Sequence, residues 1–398
     1  MRINHFFSII AAMATLCLAS CSPSVEKRTD KTILQVMEEF HAVGVSAVVV
    51  KDGQIVYNRS FGLKDIETQT PLSNDHMMRI ASISKSFTAT GLMQLIEKGL
   101  ISLDDDVSDL IGFQIRNPHY PDVPITLRMI LSHTASIRDK EDYSTLDHLN
   151  PAVYGDCVDS YYDYQPGHGY DYQPGHGYNY SNLGLNLAGT ILEKVSGVRF
   201  DQYVKDSIIL RLGLTGGHNV DLLDANQLAS IYHPEGDQYV KSDAYASIAH
   251  RMENYIMGYS APIFSPTGGV KISAHDLAVY MMMHMNYGEF NGIRIISEES
   301  AKTMQTPVWI QQNPAEDQYG LCLYEFVDFI DDERYHQPGM YPVGHEGDAY
   351  GLKSIMIWSP ADGWGIVAMT NGYTPVEGKN IRQSLANAIY KAYLAEAK

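Results

Sequence analysis

Cysteine is scarce in this chain. Four stand among 398 residues and no two are spaced as Cys-x-x-Cys, which argues against a structural zinc site. Positive charge is also in short supply. The 29 Lys and Arg face 47 Asp and Glu, a formal net charge of -18, and no run of Lys or Arg follows the first residues. A nucleic-acid partner needs a basic footprint, so that class is excluded; the acidic surplus reads as solubility. No Gly-x-Ser-x-Gly occurs, so the elbow of an α/β-hydrolase is missing. What remains is globular in composition, 45% apolar and 19% charged, and long enough for one large domain or two modest ones.

The N-terminus reads as a targeting segment. Arg2 precedes an apolar stretch over 6–18 that is too short to span a bilayer and ends in Leu18-Ala19-Ser20-Cys21. Small residues before a Cys here resemble a bacterial lipobox. That resemblance implies cleavage before Cys21, lipidation of Cys21, and a cell-envelope protein held to a membrane by that lipid. The expected division is a signal over 1–21, a tether over 22–30 and one catalytic domain over 31–398. Cys17 would leave with the signal. Cys157 and Cys322 remain, and sequence leaves open whether they pair.

Sheet-like patterns sit at the two ends of the domain. Residues 44–62 read as a hairpin turning at Asp52-Gly53, and apolar runs over 353–358 and 364–370 flank a Pro-Ala-Asp-Gly turn. Helical patterns occupy 82–97, 126–132, 183–195, 200–208, 274–285, 297–304 and 378–397. One antiparallel sheet with an inserted helical region follows: sheet over about 31–105 and 255–398, helices over 106–254, and a cleft between them. Residues 163–170 (DYQPGHGY) repeat at once over 171–178. Two copies make no solenoid. They read as a lengthened surface loop or an aromatic rim on the cleft, with His168 and His176 a remote option for a metal.

Three short patterns could carry chemistry. Ser82-Ile83-Ser84-Lys85 opens an apolar helix, which puts Ser and Lys one turn apart on one face. A Lys amine there can take the Ser proton if burial lowers its pKa, and the helix start offers N–H groups to an oxyanion. Ser24-Val25-Glu26-Lys27 matches the same pattern, and only context separates them. Tyr180-Ser181-Asn182 supplies a phenol whose pKa a neighbouring ammonium could depress, and an amide to hold Lys and substrate. His345-Glu346-Gly347 supplies a positive or donor group and a Gly that allows close backbone approach, with the Asp348 N–H as a second oxyanion donor.

In this order the three resemble the Ser-x-x-Lys, Tyr-x-Asn and His-x-Gly of the class C branch of the serine β-lactamase and penicillin-binding family. The branch includes D-Ala-D-Ala carboxypeptidases, D-aminopeptidases, esterases and some acyltransferases. Ile125 to Thr134 resembles its Leu-Leu-Ser-His-Thr element, and Pro266-Thr267-Gly268-Gly269 with Ser273-Ala274-His275-Asp276-Leu277-Ala278 another; the likeness runs from about Glu38 onward. It implies an α/β fold of α+β type: a five-stranded antiparallel sheet flanked by helices, plus an all-helical region. It also implies roles. Ser82 attacks, Lys85 and Tyr180 share acid and base work, and Asn182 positions substrate. His345 replaces a lysine of other branches, and the N–H groups of Ser82 and Asp348, past Gly347, bind the oxyanion. His133 reads as structural.

The expected activity is an exported serine hydrolase forming an acyl-enzyme on a small-molecule ester, amide or peptide, with no cofactor and no metal. Acyl transfer to an alcohol, D-Ala-D-Ala carboxypeptidase or β-lactamase activity, and a non-catalytic binding module are the competing readings. Glu346 stands where β-lactam-binding relatives carry Thr. If it and Asp348 face the cleft, substrates with a carboxylate should bind poorly.

Overall fold

The structure is a computed structural model that describes residues 24–140, 142–163, 172–310 and 316–395. The proposed signal and Cys21, and most of the first DYQPGHGY copy with His168, lie outside the described residues, as does the side chain of Cys157; Cys322 is a buried free thiol.

The elements that position the site are, in chain order, helix α1 (Val25–Glu39), strands β1 (Gly44–Lys51), β2 (Gln54–Asp65), β3 (Thr70–Pro71) and β4 (Met77–Arg79), helix α2 (Ser84–Glu97), helix α3 (Asn182–Ser196), strands β5 (Gly216–Gly217) and β6 (Lys271–Ser273), helix α4 (Ala274–Met285), strands β7 (Gln318–Tyr319), β8 (Tyr324–Glu325), β9 (Val343–Ala349), β10 (Leu352–Trp358) and β11 (Trp364–Thr370), and helix α5 (Ile381–Ile389). The main sheet is antiparallel in the order β7-β8-β9-β10-β11-β1-β2-β3. It has eight strands rather than five. The sequence pattern reveals four of the five long ones, β1, β2, β10 and β11, but not β9, whose Gly and charged residues hide its period; the other three are two-residue edges, too short to display a period. Asp52 and Gly53 both take positive φ, 50° and 73°, as a tight hairpin turn demands.

Both faces of the sheet are covered, so its strands read as apolar runs. In β1, Val45, Ala47 and Val49 face α1 and α5, while Val48 and Val50 face the larger core around α2 and α4. In the region over 106–254 helices are the main regular structure, but loops occupy much of it and it is not all-helical. It contributes β5 to a small sheet ordered β4-β6-β5, and a separate hairpin pairs Tyr232–Glu235 with Gln238–Lys241, turning at Gly236 with φ 58°.

The segment expected as a tether is largely helix. Ser24 caps α1 by accepting the Lys27 N–H at 3.3 Å. The second Ser-x-x-Lys match is therefore a helix cap. Its charged residues lie outward: Glu26 pairs with Arg59 at 2.9 Å, and Asp30 accepts from the Tyr57 hydroxyl at 2.8 Å. Thr29, Ile33, Val36 and Met37 form the buried face. A polar run of this kind looks like a linker until the face it hides is seen packed. Among the described residues no helix is long and apolar enough to cross a membrane.

Ile33 is fully buried between α1, α5 and the sheet. Ile33→Ala should therefore cost about 2–5 kcal/mol, read as a lowered urea midpoint. An unchanged midpoint would mean that α1 does not pack on the domain.

Candidate active site

The site begins where β4 runs into α2. Ala81 takes φ 46°, a left-handed conformation costly for a residue with a Cβ. The chain turns through a single 3-10 turn, Ala81–Ile83, before α2 starts at Ser84. Ser82 sits in that turn, half-buried and facing a cavity of about 680 Å3. Strand β9 presses on the turn from the sheet side. A Cβ on Gly347 would lie 2.3 Å from the Ile80 carbonyl oxygen and 2.2 Å from Ser354 Oγ, so no larger residue fits. The Ser354 hydroxyl donates to that carbonyl at 3.0 Å. This contact brings Asp348 onto the wall of the cavity that Ser82 faces.

Lys85 follows one turn later and is fully buried. Its Nζ contacts Ser82 Oγ at 2.9 Å, Asn182 Oδ1 at 2.8 Å and the Thr267 carbonyl oxygen at 2.9 Å. All three partners are uncharged. Burial lowers the Lys85 pKa to about 7, while Cys322 and Asp139 oppose the fall. Two partners, Asn182 Oδ1 and Thr267 O, can only accept. They hold two N–H groups, and the remaining vertex points at Ser82. That vertex is an N–H when the group is an ammonium and a lone pair when it is an amine, so deprotonation alone turns a donor to Ser82 into a base for it.

The orientation of Asn182 is fixed from behind. Asp139, which the sequence reading missed, accepts from Asn182 Nδ2 at 2.7 Å, the Asn182 N–H at 2.8 Å, the Leu183 N–H at 2.9 Å and the Ser181 hydroxyl at 3.2 Å. A carboxylate accepts only, so Nδ2 must face it and Oδ1 must face Lys85. Asp139 thereby gives two N–H groups at the α3 start an acceptor that the helix itself cannot supply. Thr267, also missed as a functional residue, donates Oγ1 to Asn182 Oδ1 at 2.6 Å. No periodicity marks Asp139; it is one of three acids in the charged run Arg138-Asp139-Lys140-Glu141-Asp142.

Tyr180 enters just before the Ser181 cap of α3. Burial drives its pKa well above 10, against the lowering effect of the neighbouring Ser82 hydroxyl. The depressed phenol expected from sequence is not what forms. Lys85 Nζ lies over the ring, 4.7 Å from its centroid, rather than beside the hydroxyl. Tyr180 thus stands as a proton donor. His133 packs on it with ring centroids 4.2 Å apart, and its Nδ1 accepts from the Ser181 N–H at 3.1 Å while Nε2 finds no partner. Tyr178, at the end of the second DYQPGHGY copy, packs on Tyr319 and meets the Tyr324 hydroxyl at 3.3 Å.

His345 lies within β9, behind this aromatic shell. Its Nδ1 donates to the Glu346 carbonyl at 2.6 Å and its Nε2 accepts from the Tyr319 hydroxyl at 3.2 Å. Burial, then the nearby Lys85, lowers its pKa to about 3. It is neutral at ordinary pH and supplies no cation. Glu346 projects from the opposite face of β9, where its carboxylate meets Arg382 Nε of α5 at 2.8 Å. Burial still outweighs Arg382 and raises the Glu346 pKa. Asp348 is exposed and pairs with Lys353. The expectation that these acids repel a substrate carboxylate therefore loses its premise: strand alternation turns Glu346 away from the cleft, and Lys353 neutralises Asp348. Among the described residues no group of three or more His, Cys, Asp or Glu could hold a metal ion.

Ser82, Lys85, Tyr180 and Asn182 thus converge, with Gly347 and Asp348 at the edge and His345 behind. If Asp139 orients the group that orients Lys85, Asp139→Asn should slow labelling of Ser82 by a fluorophosphonate roughly 10- to 100-fold at saturating reagent. The half-saturating concentration should change little, and Asp139→Glu should restore part of the rate. Equal losses in both variants, tracking a fall in melting temperature, would mark Asp139 as structural only.

Comparison with known proteins identifies the family and the fold. The family model described as Beta-lactamase matches residues 29–389. Penicillin-binding protein 4* of Bacillus subtilis is 30% identical over 227 residues, 54% of this chain and 47% of that protein, so the match spans under half of that relative's length. The octameric penicillin-binding protein homologue from Pyrococcus abyssi superposes with TM-score 0.70 at 25% identity, over 92% of this chain and 76% of that one. A D-amino acid amidase from Ochrobactrum anthropi shares the fold, with TM-score 0.69, 19% identity and coverage of 93% of this chain. The chain belongs to the β-lactamase family of serine hydrolases.

Proposed function

We propose that this chain is an exported hydrolase that acylates Ser82 with a small ester or amide and releases the acyl group to water. The observation that carries this reading is the fully buried Lys85 amine, 2.9 Å from Ser82 Oγ and lowered to about 7 with no carboxylate beside it. In its neutral form Lys85 takes the Ser82 proton as Oγ attacks the carbonyl carbon. The carbonyl electrons move onto oxygen, and the backbone N–H groups of Ser82 and Asp348 receive that charge. The bond to the leaving oxygen or nitrogen then breaks. Tyr180, held protonated by burial, passes its proton to the leaving group. Water then attacks the acyl-enzyme and gives its proton to Tyr180, while the Lys85 ammonium returns one to Ser82 Oγ as the ester bond breaks. The apolar stretch over 6–18 and the Leu18-Ala19-Ser20-Cys21 sequence support a lipid anchor at Cys21 and a place in the cell envelope.

A fluorophosphonate should label the wild-type chain at Ser82. Ser82→Ala should abolish labelling and lower p-nitrophenyl ester or D-amino-acid amide hydrolysis by roughly three orders of magnitude or more. Labelling elsewhere, or an active Ser82→Ala variant, would remove Ser82 from the role.

A further inference from the structure

The wall of the cavity beside Ser82 holds basic groups that the hydrolytic reading does not use. Arg79 of β4 and Lys271 of β6 are direct cross-strand partners, so their side chains share a face of the small sheet. Like charges in that relation destabilise a sheet. No carboxylate pairs with either among the described residues. Arg79 donates Nε to the Gly268 carbonyl at 2.7 Å and Nη2 to Ser265 Oγ at 3.1 Å, with the Tyr350 ring 4.9 Å away. Lys271 is 5% exposed, and its Nζ donates to the His218 carbonyl. Its neighbour on the other side is Gly217, where a Cβ would meet nothing within 4 Å. His218 is 2% exposed and both of its ring nitrogens lack a partner. All three residues line the cavity with Ser82.

The acids of the same cavity are placed differently. Asp142, Asp243 and Asp348 are exposed at its rim. Asp142 accepts from the Ser144 N–H at 2.7 Å, and Asp348 pairs with Lys353. His250 and Arg251 also stand on the exposed rim, while Asp221 is the one acid whose charge reaches Lys271. Solvated acids surround the mouth, and the half-buried Arg79 with the buried Lys271 and His218 stands deeper without an ion pair. Burial, with the charge of Arg79, holds the Lys271 amine well below its ordinary range, as an uncompensated buried cation requires. An anion at the floor would give Lys271 a counter-charge, His218 an acceptor and Arg79 a charged partner at once.

We propose that Arg79, His218 and Lys271 form an anion subsite that binds a carboxylate on the substrate while Ser82 attacks its ester or amide bond. This deepens the acyl-enzyme reading and rests on it for the identity of the neighbouring group. It also reverses the preference that Glu346 suggested from sequence.

The test uses calorimetry, with glutarate as the anionic probe and glutaramide as its uncharged analogue, on the wild-type chain and on Lys271→Met and Lys271→Gln. Glutarate should bind the wild type roughly tenfold or more tighter than glutaramide, and the excess should vanish in whichever Lys271 variant melts cooperatively. Glutarate should also slow fluorophosphonate labelling of wild-type Ser82. Equal affinity for the two probes, or an undiminished preference in a folded Lys271 variant, would overturn the subsite. The wild-type comparison needs no variant to fold. Labelling of Ser82 without glutarate reads the acyl-enzyme proposal separately, so either can fail alone.

Discussion

A lysine amine buried among three uncharged oxygens is the constraint on which this site depends. Removing an ammonium from water without a counter-ion is expensive, and the chain accepts that cost at Lys85. The surrounding parts hold the amine where the cost becomes chemistry. Asp139 fixes Asn182, and Asn182 and Thr267 take two of the Nζ hydrogens, so the third direction is committed to Ser82. Strand β9 closes on the nucleophile turn only because residue 347 has no side chain. The strained φ of Ala81 is the local price of aiming Ser82 at the cavity.

Around this pair lies a shell of rings: His133, Tyr178, Tyr180, Tyr319, Tyr324 and His345. By keeping out water it pushes phenols up and imidazoles down. The same desolvation that makes Lys85 a base therefore keeps Tyr180 a donor and His345 neutral. One environment assigns three roles. It does so through burial, which acts on cationic and anionic groups in opposite directions.

The sequence made Ser82, Lys85, Tyr180 and Asn182 legible because spacing on a helix and placement before a helix are local properties. It made four of the five long strands legible for the same reason, but not β9, which carries His345 and Gly347. The charge states were not legible. They depend on how deeply each group is buried, which no short motif records. Neither was the face on which Glu346 lies; a single residue of strand register decides it. Asp139 and Thr267 act through contacts between distant segments and carry no pattern of their own. Helix α1 was hidden because its charged residues outnumber its apolar ones until the packed face at Ile33 is seen. The basic floor at Arg79, His218 and Lys271 joins three segments far apart in sequence, so only the fold brings it together.

The central claim is that neutral Lys85 is the base that activates Ser82. The most direct test is the pH dependence of the single-turnover acylation rate of Ser82. An amine must lose its proton before it can accept one from Ser82, so the rate should rise with pH, bend near pH 7 where Lys85 titrates, and level off above it. A rate that is flat between about pH 5 and 9, or that keeps climbing toward the ordinary lysine pKa of about 10.4, would contradict the account.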